Sequence, residues 1–333
     1  MRALTILITM IFMFGLGVYP VFCQTNETQQ KPTILIVVGA GGSEEFSVEF
    51  AQSANILQEA CNKANVKYIT IGLDTLENNG PEDRLILRQT ISNEPNETDA
   101  ALWIVLIGHG TYDGRTAKFN LRGPDISADE FAEWLEPLHR PVALINTASS
   151  SAPFLSKLSS EERIVITATK SGYELNYARF GKYFAQAISS EQESDLDKDG
   201  QTSLLEAFLT ASSQVAEFYS TEGRLATEHG LLDDNGDGLG TPADWFSGIR
   251  PIQKATNNAS PDGYRANQFH LIKSELENKM PSELRIKRDE LELEVVKLRD
   301  SKDSLTEEEY FSRLEKLLYQ IAKIYEQIDT QNN

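Results

Sequence analysis

The 333-residue sequence predicts an α/β protein with a doubly wound, mostly parallel sheet, followed by an acidic loop region and a C-terminal helical hairpin. Three observations predict it. Short, almost wholly apolar strand-like runs alternate with amphipathic helical patterns, as expected of parallel strands covered on both faces. Two later stretches space aspartates and glycines as calcium loops do. Beyond Gly263 the composition shifts to charged, helix-forming residues with heptad-spaced apolar positions.

The predicted α/β domain covers residues 31–190. Its strand-like segments are PTILIVVGAGG, VKYITIGL, ALWIVLIGHG, RPVALINTASSS and RIVITATKSG. The carboxyl ends of parallel strands converge on one edge of such a sheet, where ligands bind. Four of these strands end in small or polar residues, so we expect a ligand-binding rim there. Besides the residues discussed below, the candidate residues of this substrate rim are Glu44, Thr169 and Ser171.

The N-terminal segment, the cysteine content and the net charge indicate where the chain acts and what it does not bind. Residues 1–23, MRALTILITMIFMFGLGVYPVFC, have the layout of a secretory signal peptide, so we expect a secreted or periplasmic protein with no membrane span after cleavage. The mature chain then keeps one cysteine, Cys61, in a helical pattern typical of core packing. The formal net charge of -19 repels phosphate backbones and argues against nucleic-acid binding.

A calcium-binding segment of the EF-hand type is predicted within residues 191–250. Its first loop, DLDKDGQTSLLE, matches the pattern D-x-D-x-D-G-x5-E at every ligand position, with helical patterns on both sides. The alternative is a solvated acidic turn, but four carboxylates in one short loop would repel one another without a cation. The predicted ligands are the side chains of Asp195, Asp197, Asp199 and Glu206 and the backbone carbonyl of Gln201.

The second loop, DDNGDGLGTPAD, fits the same pattern less well. Its last ligand is an aspartate, one methylene shorter than glutamate, and Pro242 precludes the usual start of an exiting helix. The alternative is a glycine-rich turn of structural purpose. The predicted ligands are Asp233, Asn235, Asp237, the backbone carbonyl of Leu239, and Asp244. Calcium is the predicted cofactor in both loops.

The C-terminal region, residues 265–330, is predicted to form a helical hairpin or coiled coil. Apolar residues fall near heptad spacing in two runs, and DSKDSLTEEEY supplies a turn between them. Thr306 and Glu309 have the spacing of a capping box at the start of the second helix. The hairpin would pack on the α/β domain or on a second copy of itself, which makes self-association a possible partner interaction.

The order of motifs on the rim resembles that of the caspase and legumain family of cysteine peptidases. The strand ALWIVLIGHG places His109 between two glycines, and ALINTASSS follows about 40 residues later. In that family a His-Gly pair ends one strand and an Ala-Cys pair ends the next. GAGGSEEF is similar to the family's first strand and substrate-rim loop. The resemblance covers roughly residues 33–190 and implies a caspase-like fold and a protein or peptide substrate.

Carried over by position, the resemblance makes His109 the catalytic histidine and Gly110 an oxyanion donor through its N–H. Ser149 stands where the family has its nucleophilic cysteine. A thiol is partly ionised near neutral pH, whereas a serine hydroxyl needs a base in hydrogen-bond contact and a third group that orients the base. No orienting carboxylate is evident, although Asp113, Glu44 and Glu174 lie on rim segments.

Three interpretations of this serine run remain open. The chain is a pseudoenzyme that binds a protein or peptide, because Ser149 replaces the cysteine. Alternatively it is an active peptidase or esterase with a Ser149-His109 dyad. In the plainest interpretation the serines only cap the helix that APFLSKL begins.

Overall fold

A computed structural model describes residues 31–73, 82–190, 192–254 and 260–331, so the predicted signal peptide lies outside the described part. Its centre is a seven-stranded sheet in the order β10-β9-β8-β7-β3-β1-β2. The five strands from β8 to β2 run parallel, and β9 and β10 are antiparallel to their neighbours. The predicted mostly parallel α/β sheet is therefore confirmed. The strands of this sheet are β1 (Thr33–Val38), β2 (Lys67–Ile71), β3 (Leu102–Ile107), β7 (Val142–Asn146), β8 (Arg163–Thr167), β9 (Leu231–Asp233) and β10 (Thr241–Pro242).

The central strands are apolar because helices cover both faces of the sheet. Every residue of β1, β3 and β7 is buried, whereas the edge strand β2 is largely half-exposed. Helices α1, α5 and α6 cover one face, and α2, α3 and α4 cover the other. These helices are α1 (Glu44–Lys63), α2 (Asp83–Ser92), α3 (Ala128–Leu135), α4 (Ala152–Leu158), α5 (Phe180–Ser189) and α6 (Leu204–Thr221).

Two small sheets complete the described strands. The first has β4 (Gly110–Tyr112), β5 (Ala117–Phe119) and β6 (Ile126–Ser127), and it starts directly after His109. The second pairs β11 (Phe246–Ser247) with β12 (Arg250–Pro251). In the part of the chain that the structure describes, none of the helices is both long enough and apolar enough to cross a membrane.

The α/β domain is larger than the predicted 31–190. Strand β9 adds to the sheet beside β8, with Val165 opposite Asp233 and Thr167 opposite Leu231. Helix α6 packs on α5, and Phe208 of α6 belongs to the same buried cluster as Phe184 of α5. The segment with the acidic loops is therefore part of the main core and not a separate unit.

The C-terminal helices are α7 (Glu275–Lys279), α8 (Ser282–Asp300) and α9 (Glu307–Gln331). Helices α8 and α9 pack against each other through a small cluster around Met280, Ile324 and Ile328. The predicted capping box is present, because the Glu309 N–H donates to Thr306 Oγ1 at 3.3 Å and the Thr306 N–H donates to Glu309 Oε2 at 3.2 Å. The predicted self-association stays a prediction.

Candidate active-site rim and acidic loops

The topology places His109 and Ser149 on the same rim. Strands β3 and β7 are parallel neighbours, with Leu106 opposite Asn146, and each residue follows the end of one strand. The Ser149 hydroxyl lies on the backbone of Gly110: it accepts from the Gly110 N–H at 3.2 Å and donates to the Gly110 carbonyl oxygen at 3.1 Å. A Cβ atom at Gly110 would lie 2.2 Å from the Ser149 carbonyl oxygen, so only glycine fits.

His109 is held by a different set of contacts. Its Nε2 lies 3.2 Å from the carbonyl oxygen of Gly41, and its ring packs edge-on against Phe46 and Phe50 at centroid distances of 4.8 and 5.1 Å. A carbonyl oxygen only accepts, so Nε2 must carry the hydrogen in this bond. Burial lowers the pKa of His109, although the Gly41 bond opposes the shift. The imidazole is therefore neutral at pH 7.

The two predicted catalytic groups are close but not joined. The Ser149 hydroxyl bonds to the Gly110 backbone and the His109 imidazole bonds to Gly41, with no hydrogen bond between them in the described structure. The Gly110 N–H, the predicted oxyanion donor, is occupied by Ser149 Oγ. In this arrangement the histidine does not activate the serine, since proton transfer requires hydrogen-bond reach.

The serine turn is not a simple helix cap. Ser151 stands at the N-cap position of α4, but its hydroxyl makes no capping bond. Instead Ser151 Oγ accepts from the N–H of Ala168 at 3.1 Å and lies 3.1 Å from Thr169 Oγ1, which ties the turn to the end of β8. The capping interpretation is therefore wrong for Ser151, because its hydroxyl bonds to Ala168 and Thr169, the two residues that follow β8.

The three predicted rim residues differ in their placement. Glu44 is exposed in the first turn of α1. Ser171 Oγ accepts from the Tyr173 N–H at 3.1 Å within the loop after β8. Thr169 is fully buried, and its hydroxyl also accepts from the Ala152 N–H at 3.1 Å. Thr169 thus holds the serine turn and does not face solvent on the rim.

The structure adds an imidazole–carboxylate pair that sequence reasoning missed. His229 Nδ1 lies 2.5 Å from Glu174 Oε1, and Glu174 Oε2 accepts from the Lys170 N–H at 2.9 Å. His229 reaches the rim because the antiparallel strand β9 starts two residues later, opposite the end of β8. The short run LLD of β9 gave no signal for this pairing.

The first acidic loop brings three of its predicted ligands together. Asp195, Asp197 and Asp199 form a cluster in which one carboxylate oxygen of each lies within 4.8 Å of the other two. Among the described residues, no other group of at least three Asp, Glu, His or Cys side chains meets this distance. Gly200, with φ of 88°, donates its N–H to Asp195 Oδ2 at 3.1 Å. Burial, together with the negative charges of its neighbours, raises the pKa of Asp197 to about 6. The loop is therefore electrostatically suited to a cation.

The other two predicted ligands of this loop have protein partners. The carboxylate of Glu206 is buried and accepts from the N–H of Leu196 at 2.6 Å and of Ser203 at 2.8 Å, the latter as part of a capping box on α6. The side chain of Gln201 accepts from the Ser274 N–H at 3.0 Å. Its backbone carbonyl is the atom predicted to bind the metal.

The second loop repeats the folding pattern but not the ligand cluster. Asp233 accepts from the N–H of Gly236 at 3.1 Å and of Gly238 at 2.9 Å. The predicted last ligand, Asp244, is exposed in a single 3-10 turn, Ala243–Trp245. The remaining predicted ligands stay within the turn: the Asp237 N–H donates to Asn235 Oδ1 at 2.8 Å, and the Leu239 N–H donates to Asp237 Oδ1 at 2.8 Å.

Two buried carboxylates outside the predicted ligand set hold this second loop. Asp262 Oδ1 accepts from the Asp234 N–H at 3.0 Å, and its Oδ2 accepts from the Thr241 hydroxyl at 2.6 Å. Asp234 in turn accepts from the N–H groups of Gly263 at 3.0 Å and Ala266 at 2.8 Å. Burial and the nearby Asp234 charge raise the pKa of Asp262 to about 8. Asp262 lies far along the chain, so loop spacing could not reveal it.

Comparisons with known proteins add little beyond the architecture. Neither a protein-family model nor a curated protein matches the sequence. Among solved structures, the Drosophila initiator caspase Dronc is similar at 15% identity over 62% of this chain and 80% of that chain, with a TM-score of 0.42. Caspase-1 from Spodoptera frugiperda is similar at 9% identity over 62% of this chain and 87% of that chain, with a TM-score of 0.39. Since both TM-scores lie below 0.5, function must be inferred from this chain's own residues.

Proposed function

We propose that the chain is a caspase/legumain-like pseudopeptidase whose rim binds a protein or peptide ligand and whose acidic loop binds calcium. The hydrogen bonds of Ser149 and His109 are the observation that most supports the loss of peptidase activity. The Ser149 hydroxyl is engaged by both backbone groups of Gly110, while His109 Nε2 is engaged by Gly41. Loss of the thiol removes a nucleophile that ionises easily, and the remaining hydroxyl has no base in contact.

A second candidate function is hydrolysis by a Ser149-His109 dyad. It is favoured by the lowered pKa of His109, which keeps the imidazole neutral and able to accept a proton. It would require Nδ1, the ring nitrogen that carries no hydrogen while Nε2 donates to Gly41, to come within hydrogen-bond reach of the Ser149 hydroxyl. In the described structure the Gly41 carbonyl oxygen, and no carboxylate, holds the His109 imidazole.

A fluorophosphonate probe with mass mapping of the adduct separates these two functions. For a pseudopeptidase we expect no adduct on Ser149, with or without calcium. The matched control is Ser156→Ala, which removes an exposed hydroxyl of the adjacent α4. An adduct on Ser149 that disappears in His109→Gln would instead establish the dyad and refute the pseudopeptidase.

The Ser149→Cys variant tests the kinship with cysteine peptidases. A thiolate forms without a tightly held base, so we expect this variant to gain cleavage of peptide substrates. Adding His109→Gln to that variant should remove the gain. If the cysteine variant is folded, judged by circular dichroism, and cleaves no peptide of a broad library, the peptidase-like origin of the rim is contradicted.

Calcium binding is proposed for the loop of residues 195–206. The three clustered aspartates supply hard oxygen ligands, and Gln201 supplies a carbonyl. For Glu206 to complete the site, its carboxylate must exchange the Leu196 N–H for the ion. Bound calcium would neutralise the mutual repulsion of these carboxylates and stabilise the fold. The predicted export of the chain suits such a role, since extracellular modules of this type bind calcium with Kd of about 0.1–1 mM.

Isothermal titration calorimetry of the protein with calcium tests this proposal directly. We expect one site with a Kd near the range given above, and no heat of binding in Asp195→Ala. Magnesium should bind more weakly, because it demands octahedral geometry and keeps its waters. Absence of calcium binding by the folded wild-type protein would remove calcium from the proposed function.

A further inference from the structure

The outer side of helix α9 carries an uncovered apolar stripe, formed by Phe311, Leu314, Leu318 and Tyr319. Phe311, Leu318 and Tyr319 are 51%, 50% and 63% exposed. Phe311 and Leu318 are seven residues apart, which places them on the same side of the helix. Leu314 is half-buried and lines the same groove. Large apolar side chains exposed together on one surface mark an interaction site.

The stripe is distinct from the side of α9 that packs inside the hairpin. Ile324 and Ile328 of α9 are buried with Met280 in the hairpin cluster. Helix α8 lies between α9 and the α/β domain, since Leu293 of α8 lines one cavity with Pro141. Pro141 directly precedes the amino end of β7, so the hairpin is attached at the end of the sheet opposite the rim. Helix α9 is therefore the outer layer there, and its stripe faces solvent.

The charges beside the stripe match those of a second copy. Glu315 lines the groove, and Lys323 is exposed one helical turn beyond Tyr319. These two charges lie four residues before and four residues after Tyr319. When two α9 helices pair antiparallel about Tyr319, Glu315 of each copy lies opposite Lys323 of the other. A parallel pairing places each charge opposite the same charge, which is repulsive.

We propose that the chain forms a symmetric dimer in which the stripe of α9 packs antiparallel on the stripe of a second copy. Leu318 and Tyr319 lie at the centre of the contact, and two Glu315–Lys323 pairs flank it. Both copies use the same surface, so the association closes at two chains. The proposal depends neither on the loss of peptidase activity nor on calcium.

The size of this contact determines its strength. Stable interfaces bury about 1,200–2,000 Å² in total, and a single pair of helices with four apolar side chains each lies below that range. We therefore expect a reversible dimer with a Kd on the order of 10 μM. Burial of the stripe supplies most of the binding free energy, whereas the exposed charge pairs set the orientation.

Sedimentation equilibrium of residues 24–333, the predicted mature chain, tests the proposal at concentrations from about tenfold below to about tenfold above that Kd. We expect a monomer–dimer equilibrium both with calcium and with a chelator. Leu318→Lys places a charge at the centre of the contact and should weaken association at least about tenfold. The matched control is Leu225→Lys, because Leu225 is 90% exposed in the loop after α6, outside the stripe, and should leave the Kd unchanged. Circular dichroism confirms that each variant is folded.

Charge exchange tests the antiparallel pairing. Glu315→Lys and Lys323→Glu each place like charges opposite one another, so each should weaken the dimer about fivefold. The double variant re-forms both pairs in the reverse sense and should recover the wild-type Kd. Lys297→Glu on α8 is the control, since Lys297, like Lys323, is exposed and pairs with a glutamate three residues away. It makes the same change in net charge outside the stripe and should leave the Kd unchanged.

The other outcomes overturn the proposal. A folded wild-type chain that stays monomeric over the whole concentration range forms no such dimer. Association that Leu318→Lys leaves unchanged belongs to another surface. The antiparallel pairing is refuted when neither single charge variant weakens the dimer, or when both do and the double variant does not recover.

Discussion

The two acidic loops share a backbone design but end differently. In each, the first aspartate accepts the N–H of a glycine five residues later: Asp195 from Gly200 and Asp233 from Gly238, both glycines with positive φ. The first loop then runs into α6, and its last residue, Glu206, is buried in the first turn of that helix. The second loop runs into a single 3-10 turn, and its last residue is exposed.

The comparison teaches that an aspartate-glycine pattern specifies a turn before it specifies a metal site. Side-chain to backbone hydrogen bonds form the turn in both loops. The second loop is closed from outside by Asp262, whose carboxyl group accepts from the N–H groups of Asp234 and Asn235 and from the Thr241 hydroxyl. We therefore expect the first loop to respond to calcium and the second loop to respond to loss of Asp262.

The largest expected loss of stability is that caused by Asp262→Ala. The substitution leaves the N–H groups of Asp234 and Asn235 and the Thr241 hydroxyl without their buried acceptor. Unsatisfied buried donors cost about 1–3 kcal/mol each, so we expect the free energy of unfolding to fall by about 3–4 kcal/mol. Urea denaturation with and without calcium measures it, and the loss should be equal in both.

The matched control is Asp237→Ala in the exposed part of the same loop. It removes one acceptor, for the Leu239 N–H, where water can replace it, so the loss should stay below about 1 kcal/mol. If the two substitutions cost the same, Asp262 is not the group that closes the second loop. A calcium-dependent loss in Asp262→Ala would show that this loop binds the ion as well.

The second effect in size is calcium stabilisation of the first loop. At a free calcium concentration about 100 times Kd, binding to the folded state alone adds about 2.7 kcal/mol. That corresponds to a rise in Tm of about 5 °C for a domain of this size class. Differential scanning calorimetry with calcium or with a chelator measures the rise, and Asp195→Ala should abolish it. An unchanged Tm in the wild type would break the distinction between the loops.

Much of this architecture was predictable because its signals are local. The apolar runs of β1, β3 and β7 specify buried parallel strands, and the loop at 195–206 specifies a turn followed by a helix. The rest depends on contacts between residues distant in sequence. The three-residue strand β9 joins the sheet only through its pairing with β8, and this pairing is what delivers His229 to Glu174. Asp262 is likewise separated from its partners Asp234 and Thr241 by more than 20 residues.

The candidate site shows the same division. Strand order placed His109 and Ser149 on one rim, since β3 and β7 are neighbours. The direction of each side chain follows from packing: Phe46 and Phe50 fix the His109 ring, and Gly110 allows the Ser149 turn to approach within hydrogen-bond distance. A sequence pattern gives the position of a hydroxyl group along the chain, but it does not give the acceptor of that group's hydrogen bond.

A smaller effect is the pH dependence of stability that Asp262 causes. Its pKa rises from the ordinary 3.8 to about 8 in the folded protein. Between these values the folded state keeps a proton that the unfolded chain has lost, so stability falls as pH rises. From pH 6.5 to 7.5 we expect a loss of about 1 kcal/mol in calcium-free buffer, measured by urea denaturation. In Asp262→Asn this loss should be smaller by about 1 kcal/mol. If the free energy of unfolding falls with pH as steeply in the variant as in the wild type, Asp262 is not a protonated carboxyl group in the folded protein.

The smallest expected effect is that of Asp244→Asn on calcium binding. Asp244 was predicted as the closing ligand of the second loop, but it is exposed on the 3-10 turn that follows Pro242. An exposed carboxylate is well solvated, so exchanging it for an amide should change stability by less than about 0.5 kcal/mol. Calorimetric titration should give the same Kd and the same number of sites as the wild type. A tenfold weaker Kd or a lost site would mean that the turn rearranges to bring Asp244 to an ion. The second loop would then bind an ion as the first loop is proposed to do, and the distinction between the two loops would be lost.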